Sequence, residues 1–375
     1  MPHALIALLV GLTACVVSWL TVRWLRDAAL RLDLTGREPG GRHLHTGPLP
    51  RIGGLGIAIG FAVAVAVSFS LPVERFPVEI ERISLLLIGM IVIVGTMFFD
   101  DILGLPPLPK LALQVGGALL VVLPRLRGPE HGIVISQFDA PFIGTTHLPL
   151  VFALGFTLFW IVGMMNAVNW SDGIDGLVGT VALIAGSILF LHAYFRPEGD
   201  PQFTISLLAI AFVGAVLGFL PHNWHPSRII MGDCGAMTIG FLLASISIVG
   251  GAKIATALLA MGVPILDTAW VIVYRVINGR SPVSADRGHL HHRLIDAGLS
   301  QPQVVACFGG LTALFGILSL TLPSREYKFV AMLVMGAVLL ALFAFLARRQ
   351  AHEDRRNGTA HTGAGEGRSS THADL

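Results

Sequence analysis

The sequence predicts an all-α polytopic membrane protein, a bundle of about 10–11 transmembrane helices with its chemistry on cytoplasmic loops. Three observations carry this. Of 375 residues, 54% are hydrophobic and only 13% are Asp, Glu, Lys or Arg, against about 25% charged in a soluble protein. The mean hydropathy is +0.75, too little polarity to cover a water-soluble globule, so soluble, disordered and fibrous classes are excluded. The apolar runs are about 16–23 residues long, which suits helical spans rather than the roughly 10-residue alternation of an outer-membrane barrel.

Each span follows from an uninterrupted apolar run. The first 22 residues hold no Lys, Arg, Asp or Glu. A cleaved signal peptide has a basic start and a shorter apolar core, so residues 4–25 read as a retained first span. Ten more follow at 52–71, 84–99, 108–123, 149–165, 174–194, 203–220, 236–249, 254–276, 304–322 and 329–347. The stretches 84–99 and 236–249 are short for a bilayer core of about 30 Å and read as upright, extended into a loop, or re-entrant. Residues 132–147 hold short β-branched runs with turn residues between, which favour a small hairpin. Residues 1–347 form the membrane domain, and the polar stretch 348–375 reads as a disordered cytoplasmic tail. No internal repeat is visible. Cys15, Cys234 and Cys307 lack metal or disulfide spacing.

Alternating the loops puts 17 of the 25 Lys and Arg residues on one side. By the positive-inside rule that side is cytoplasmic, the N-terminus lies outside and the C-terminus inside. Every polar cluster falls on this same side. The clusters are Asp100-Asp101 with Lys110 and Gln114; Asn166, Asn169, Asp172 and Asp175; His222 to Arg228 leading into Gly232-Asp233-Cys234-Gly235; and Asp267 followed by Arg287-Gly-His289-Leu-His291-His292-Arg293. A weaker cluster is Arg42 to Arg51 with His45.

An acid at membrane depth costs about 2.5–3.5 kcal/mol on insertion scales. Adjacent acids also repel, and a hard divalent cation relieves both problems. The bland alternative, an acidic helix C-terminus, opposes the helix dipole. Asn166, Asn169, Asp172 and Asp175 recur every third residue and line one stripe, whereas a plain turn needs only two such residues. Asp233, bracketed by glycines at a helix start, is either an N-cap or a metal ligand. Arg228 suits a phosphate or a sugar hydroxyl. The His-x-His-His run suits zinc or, because Arg287 and Arg293 would repel a cation, a diphosphate; a basic solvated loop is its bland reading. Asp267, inside an apolar span, is read first as a partner of Arg275 or of a loop group. Together the clusters indicate a Mg²⁺-phosphate site at a lipid interface and leave the substrate open.

The stretches PRIGGLGI, FFDDILGLPPLPKLALQ, NAVNWSDGIDGL, NWHPSRIIMGDCGAMTIGF and DRGHLHHRLIDAGLS occur in that order across roughly residues 42–300. In these the chain resembles the polyprenyl-phosphate N-acetylhexosamine-1-phosphate transferases of the glycosyltransferase 4 type. HPSRIIMGD is similar to the branch that uses UDP-N-acetylglucosamine and less like the muramoyl-pentapeptide branch, which stays as an alternative. Cys234 and Ala236 depart from the small hydroxyl residue common at each place, which bears on metal geometry at Asp233.

The resemblance implies transfer of sugar-1-phosphate from a UDP-N-acetylhexosamine to a polyprenyl phosphate, releasing UMP and starting cell-envelope polysaccharide synthesis at the cell membrane. It implies Asp100, Asp101 and Asp233 as catalytic acids, and Mg²⁺, with Mn²⁺ as substitute, on Asp233 and Asp101. It places Lys110, Asn166, Asn169, Asp172, Asp175, Arg228, His289, His291, His292 and Arg293 on the substrates. No nucleic acid is implied, and a homodimer is left open. The lipid phosphate, with a second pKa near 6, is already largely dianionic at pH 7. Direct in-line attack, with Asp100 orienting the phosphate, is therefore expected over a covalent aspartyl-phosphate. An ion-coupled transporter is the reading from another class; it would place acids near the midplane, open to both sides.

Overall fold

A computed structural model describes residues 1–32, 49–140, 142–195, 203–250, 254–281 and 288–363. Arg42, His45, Arg287 and residues 364–375 lie outside these. All eleven apolar stretches are helical. In order they are α1 (His3–Arg31), α2 (Gly53–Ser68), α3 (Pro77–Leu103), α4 (Pro107–Val122), α5 (Leu150–Ser171), α6 (Leu177–Tyr194), α7 (Phe203–Asn223), α8 (Gly232–Val249), the pair α9 (Ile254–Ala260) and α10 (Gly262–Ile277), then α12 (Gln301–Thr321) and α13 (Arg325–Gly363). A short α11 (Leu290–Asp296) lies between α10 and α12. Among the described residues nine helices are long and apolar enough to cross a membrane, and the α9–α10 pair makes a tenth. The expected hairpin forms from β1 (Gln137–Ala140) and β2 (Gly144–His147), antiparallel with Gln137 opposite His147.

Two expectations about the spans change. The stretch 84–99 is the middle of a 27-residue helix; its first turns carry Glu79, Glu81 and Arg82, which end the apolar run without ending the helix. The interruption falls instead in the ninth stretch, where α9 and α10 meet at 77°. Gly262 and Pro264 stand there, and a proline in that first turn cannot donate the bond that would continue α9. α13 also runs on to Gly363, into the stretch that composition assigns to a disordered tail.

Burial explains the arrangement. α8 is the enclosed centre: every residue from Cys234 to Val249 is buried. It packs on α3 and α5. Close approach to α5 depends on Gly240, where a Cβ would lie 2.6 Å from Met165 Cα and 2.8 Å from the Met164 carbonyl. Small residues at interfaces are how membrane helices gain contact without a hydrophobic driving force. The same logic joins α1 to α7 through Ser18, whose hydroxyl donates to the Ala215 carbonyl at 2.7 Å. The N-terminus of α8 therefore opens in the middle of the bundle, with the ends of α3 and α5 on either side.

Candidate active site

Four helix termini meet at the start of α8. Gly104 takes the left-handed conformation (φ 66°) that ends α3, and its N–H donates to the Asp100 carbonyl at 2.8 Å. Pro107 then occupies the first turn of α4, where its missing N–H costs nothing. This tight reversal sets Lys110 against Asp100, with Nζ 2.9 Å from Oδ2. Lys110 also ion-pairs with Asp233 Oδ2. The other oxygen of Asp233 accepts from Asn169 Nδ2 at 3.0 Å, and Asp100 Oδ1 accepts the Leu105 N–H at 2.8 Å. Asn166 donates to Gln114 Oε1 at 2.6 Å and to the Val162 carbonyl at 2.8 Å. Asp100 is buried while Asp233 and Lys110 keep some exposure. One ammonium is thus shared by two carboxylates, and the cluster keeps a net negative charge for a further cation to meet.

Asp101 does something different from what its place in an acidic pair suggests. Its Oδ1 accepts the Asp233 N–H at 2.8 Å and its Oδ2 the Cys234 N–H at 3.0 Å. It caps the N-terminus of α8 from another helix, satisfying two of the orphan donors there. Gly232, with φ 72°, makes room for it: a Cβ would lie 2.7 and 3.0 Å from the two carboxylate oxygens. The stretch before α8 is held by the start of α2. Gly53 and Gly54 donate to the Ile230 and Met231 carbonyls at 3.0 and 2.9 Å, and Ile230 donates to the Pro50 carbonyl at 2.9 Å. Cys234 fills the place of a hydroxyl residue by directing its thiol to the Met231 carbonyl at 3.6 Å.

The stripe after α5 divides in two. Asp172, the C-cap of α5, is raised to about 7 by burial; the Arg51 guanidinium opposes this, and the Asp101 and Asp175 carboxylates add to it. Asp175 turns to the loop after α7, accepting from His225 Nδ1 at 2.9 Å and the Ser227 N–H at 3.1 Å. It acts as an anchor for that loop. Arg228 on the same loop is exposed, its N–H bonded to the His222 carbonyl at 2.9 Å.

The histidine loop lies against the end of α5. His289 packs edge-on to Trp170, with ring centroids 6.3 Å apart. His291 is buried directly on Gly173, where a Cβ would collide with its Nε2 and lie 2.8 Å from its Cδ2. Burial, with His292 and His289 beside it, holds the His291 pKa well below the ordinary value. In the neutral state this favours, both of its ring nitrogens are buried with no hydrogen-bond partner among the described residues. His292 is buried with its ring 4.2 Å from that of His291. Arg293 bends away, its Nε donating to the Gly288 carbonyl at 3.0 Å and its guanidinium over the Phe343 ring at 5.8 Å. Among the described residues it is held by these contacts and not by the acidic cluster.

Lys110, Gln114, Asn166 and Asn169 form the polar end of a groove of about 810 Å³ between α4, α5 and the α9–α10 pair. The rest of its wall is apolar and includes Leu108, Leu111, Phe156, Phe159, Trp160 and Ile272. Leu108 and Phe159 are 78% and 73% exposed, so the groove opens on the apolar flank of the bundle. Composition gave no hint of it, because its wall reads as ordinary span. Gln114, named with the Asp100-Asp101 cluster, reaches the site because it stands one helical turn after Lys110.

The donor chemistry of this cluster fits a hard cation. Among the described residues no group of three or more His, Cys, Asp or Glu gathers to cage a metal. Two convergent carboxylates with room for phosphate oxygens are the Mg²⁺ pattern rather than the closed zinc one. Asp233 and Asp100 are the oxygens that point together. Asp101, the expected second ligand, accepts one α8 N–H on each oxygen.

A glycosyl transferase family 4 model matches residues 83–251. The decaprenyl-phosphate N-acetylglucosaminephosphotransferase of Mycolicibacterium smegmatis is 33% identical, over 91% of this chain and 89% of that one. A probable undecaprenyl-phosphate N-acetylglucosaminyl 1-phosphate transferase of Bacillus subtilis is 31% identical, over 83% and 84%. The phospho-N-acetylmuramoyl-pentapeptide-transferase of Streptococcus pneumoniae is 37% identical, over only 53% and 58%.

Proposed function

The chain belongs to glycosyl transferase family 4, in its polyprenyl-phosphate N-acetylglucosamine-1-phosphate transferase branch, and on that footing we propose how its site works. The enzyme transfers N-acetylglucosamine-1-phosphate from UDP-N-acetylglucosamine to a polyprenyl phosphate of the membrane, with UMP leaving. The observation that carries this is the junction of two environments at Lys110. On one side stands an apolar groove of about 810 Å³, on the other the Asp100–Lys110–Asp233 ion cluster. A long prenyl tail suits the groove, and its phosphate reaches Lys110 where the groove ends. A transporter path would need such acids open to both sides, whereas these sit where four helices terminate at one end of the bundle.

Asp233 and Asp100 are the carboxylates that would hold Mg²⁺, with Asp101 fixing the backbone that presents Asp233. When bound, the ion neutralises the diphosphate and polarises the phosphoryl group in transfer. Lys110 pairs with the acceptor phosphate and keeps it from being repelled by the two acids. Asn169 fixes the rotamer of Asp233 through their 3.0 Å bond. The acceptor oxygen attacks the sugar-bearing phosphorus in line, the bond to the UMP oxygen breaks, and no strong base is needed because the acceptor is largely dianionic near pH 7. Positioning and charge supply the acceleration. Asp172 and Gly173 border the nucleotide side, with Arg51 nearby to meet its charge. The excess of basic residues in the loops of this end supports a cytoplasmic site, where UDP-sugars are made.

The test is UMP release from purified protein given UDP-N-acetylglucosamine, polyprenyl phosphate and Mg²⁺. Release should require the lipid and stop on chelation. Asp233→Asn should fold and lose turnover. A folded wild-type protein that yields no UMP from a range of UDP-sugars refutes the reading. A sugar-phosphate adduct on the protein without acceptor refutes the single step.

A further inference from the structure

Asp267 has no part in the account above, and it is an odd residue to find where it is. It sits on α10 with 0% exposure, and an acid in an apolar span is retained only where something holds it. Both oxygens are engaged, and both by the histidine loop. Oδ2 meets His289 Nδ1 at 2.9 Å, and Oδ1 accepts the Leu290 N–H at 2.8 Å. Leu290 is the first residue of α11, so the carboxylate also caps that helix. An ionised carboxylate can only accept, so the proton lies on Nδ1 and the Nε2 edge of His289 is the one available to a ligand. Around the ring, Trp170 closes one side, and the Arg275 guanidinium lies 5.8 Å from the Trp170 ring centre. The His291 ring stacks on His289 at 5.7 Å and 16°.

The other face of α10 supplies Ile265, Thr268, Ala269 and Ile272 to the apolar groove. One short helix therefore borders the groove and carries the acid that docks the loop. We propose that Asp267 is a positioning residue: it fixes the tautomer and orientation of His289 and so locks the donor-side loop to the helix that walls the acceptor groove. This rests on the transferase reading, since it gives His289 Nε2, an acceptor in that tautomer, a place at a hydroxyl or N–H group of the UDP-sugar. A carboxylate that orients an imidazole from behind in this way keeps the ligand-facing nitrogen an acceptor, a role that mere filling of space does not have.

Asp267→Asn separates the two functions of the carboxylate. The amide oxygen can still accept the Leu290 N–H, while the amide nitrogen, a donor, now opposes His289 Nδ1 and favours the other tautomer. Kinetics for UDP-N-acetylglucosamine at saturating polyprenyl phosphate, together with calorimetric binding of UDP-N-acetylglucosamine, should show at least a tenfold loss in kcat/KM and weaker donor binding. The same change made in a His289→Ala background should add less than twofold, because residues acting as one unit are not additive. Losses that multiply, or an Asp267→Asn enzyme equal to wild type, overturn the proposal.

His289→Asn covers the case in which Asp267→Asn does not fold. Its amide can still donate to Asp267, but it lacks the Nε2 edge. It should keep the wild-type thermal midpoint and lose as much activity and donor affinity as His289→Ala. Recovery of activity by His289→Asn would make His289 only a peg for the loop and end the inference. A wild-type protein that binds UDP-N-acetylglucosamine without releasing UMP would sink the transferase reading alone, and the binding arm of the cycle would still judge Asp267.

Discussion

Replacing Asp101 separates a cap from a ligand. In the structure its carboxylate accepts two backbone N–H groups at the start of α8, 2.8 and 3.0 Å away. Hydrogen bonds to a charged group contribute about 1.5–3 kcal/mol each, and loss of a helix cap typically costs about 1 kcal/mol. The two bonds share one side chain whose own burial is unfavourable, so Asp101→Ala should destabilise by about 2–4 kcal/mol. Asp101→Asn keeps one oxygen as acceptor and should cost roughly half as much, about 1–2 kcal/mol. With about 2–4 °C per kcal/mol for chains of 150–250 residues, and less for longer ones, Asp101→Ala should lower the thermal midpoint by roughly 3–8 °C. The assay is unfolding of purified protein in detergent followed by tryptophan fluorescence, with UMP release on the same samples. Activity should fall in step with stability, Asn retaining more than Ala. An Asp101→Asn protein with unchanged midpoint and no turnover would refute the capping argument and put this carboxylate directly on the ion or the substrate.

Three further outcomes follow from the site. Gly173→Ala brings a Cβ to 2.8 and 3.0 Å from Cδ2 and Cε1 of His291; overpacking of that kind costs about 1–3 kcal/mol, so the loop should shift and donor affinity fall about tenfold in a UDP-N-acetylglucosamine titration. Asp172, at about 7 folded against 3.8 as its ordinary value, is protonated in the folded chain where the unfolded chain is ionised. Stability should therefore fall as pH rises between these values and level off above about 7. Donor binding should weaken as pH passes about 7, because an added negative charge then faces the diphosphate, and Asp172→Asn should remove that step. Gly163 lines the groove with nothing within 4 Å of its Cβ position. Gly163→Phe should fold normally, raise KM for a long-chain polyprenyl phosphate at least severalfold, and leave donor affinity unchanged.

The helices were legible because a span is a local property: each apolar run declares itself without knowing its neighbours. The break between α9 and α10 was legible in principle, since Gly262 and Pro264 mark it, but continuous hydropathy hides a bend. The convergence of Asp100, Lys110, Asn169 and Asp233 was foreshadowed by residue type and by the side of the membrane assigned to each loop. The division of labour between Asp100 and Asp101 was not. Neighbours on a helix point in different directions, and the donors that claim Asp101 lie 132 and 133 positions away. The packing of the histidine loop was hidden for a related reason. A His-x-His-His run between arginines looks cationic in one dimension, yet His291 is buried on Gly173 and Arg293 turns to Phe343. Asp267 carried a signal, a lone acid in an apolar run read as the partner of Arg275 or of a loop group, and the loop group is His289, 22 residues on.

The 77° elbow between α9 and α10 changes how the reaction should be counted. It gives the groove one wall that leaves the helical axis and a mouth on the oily flank of the molecule. An acceptor entering there never crosses water. Its encounter rate scales with molecules per unit area of leaflet, so saturation belongs on a mole-fraction axis. Diluting the same lipid with inert phospholipid should slow turnover at constant bulk molarity. Other long-tailed monophosphates in that leaflet become the natural competitors.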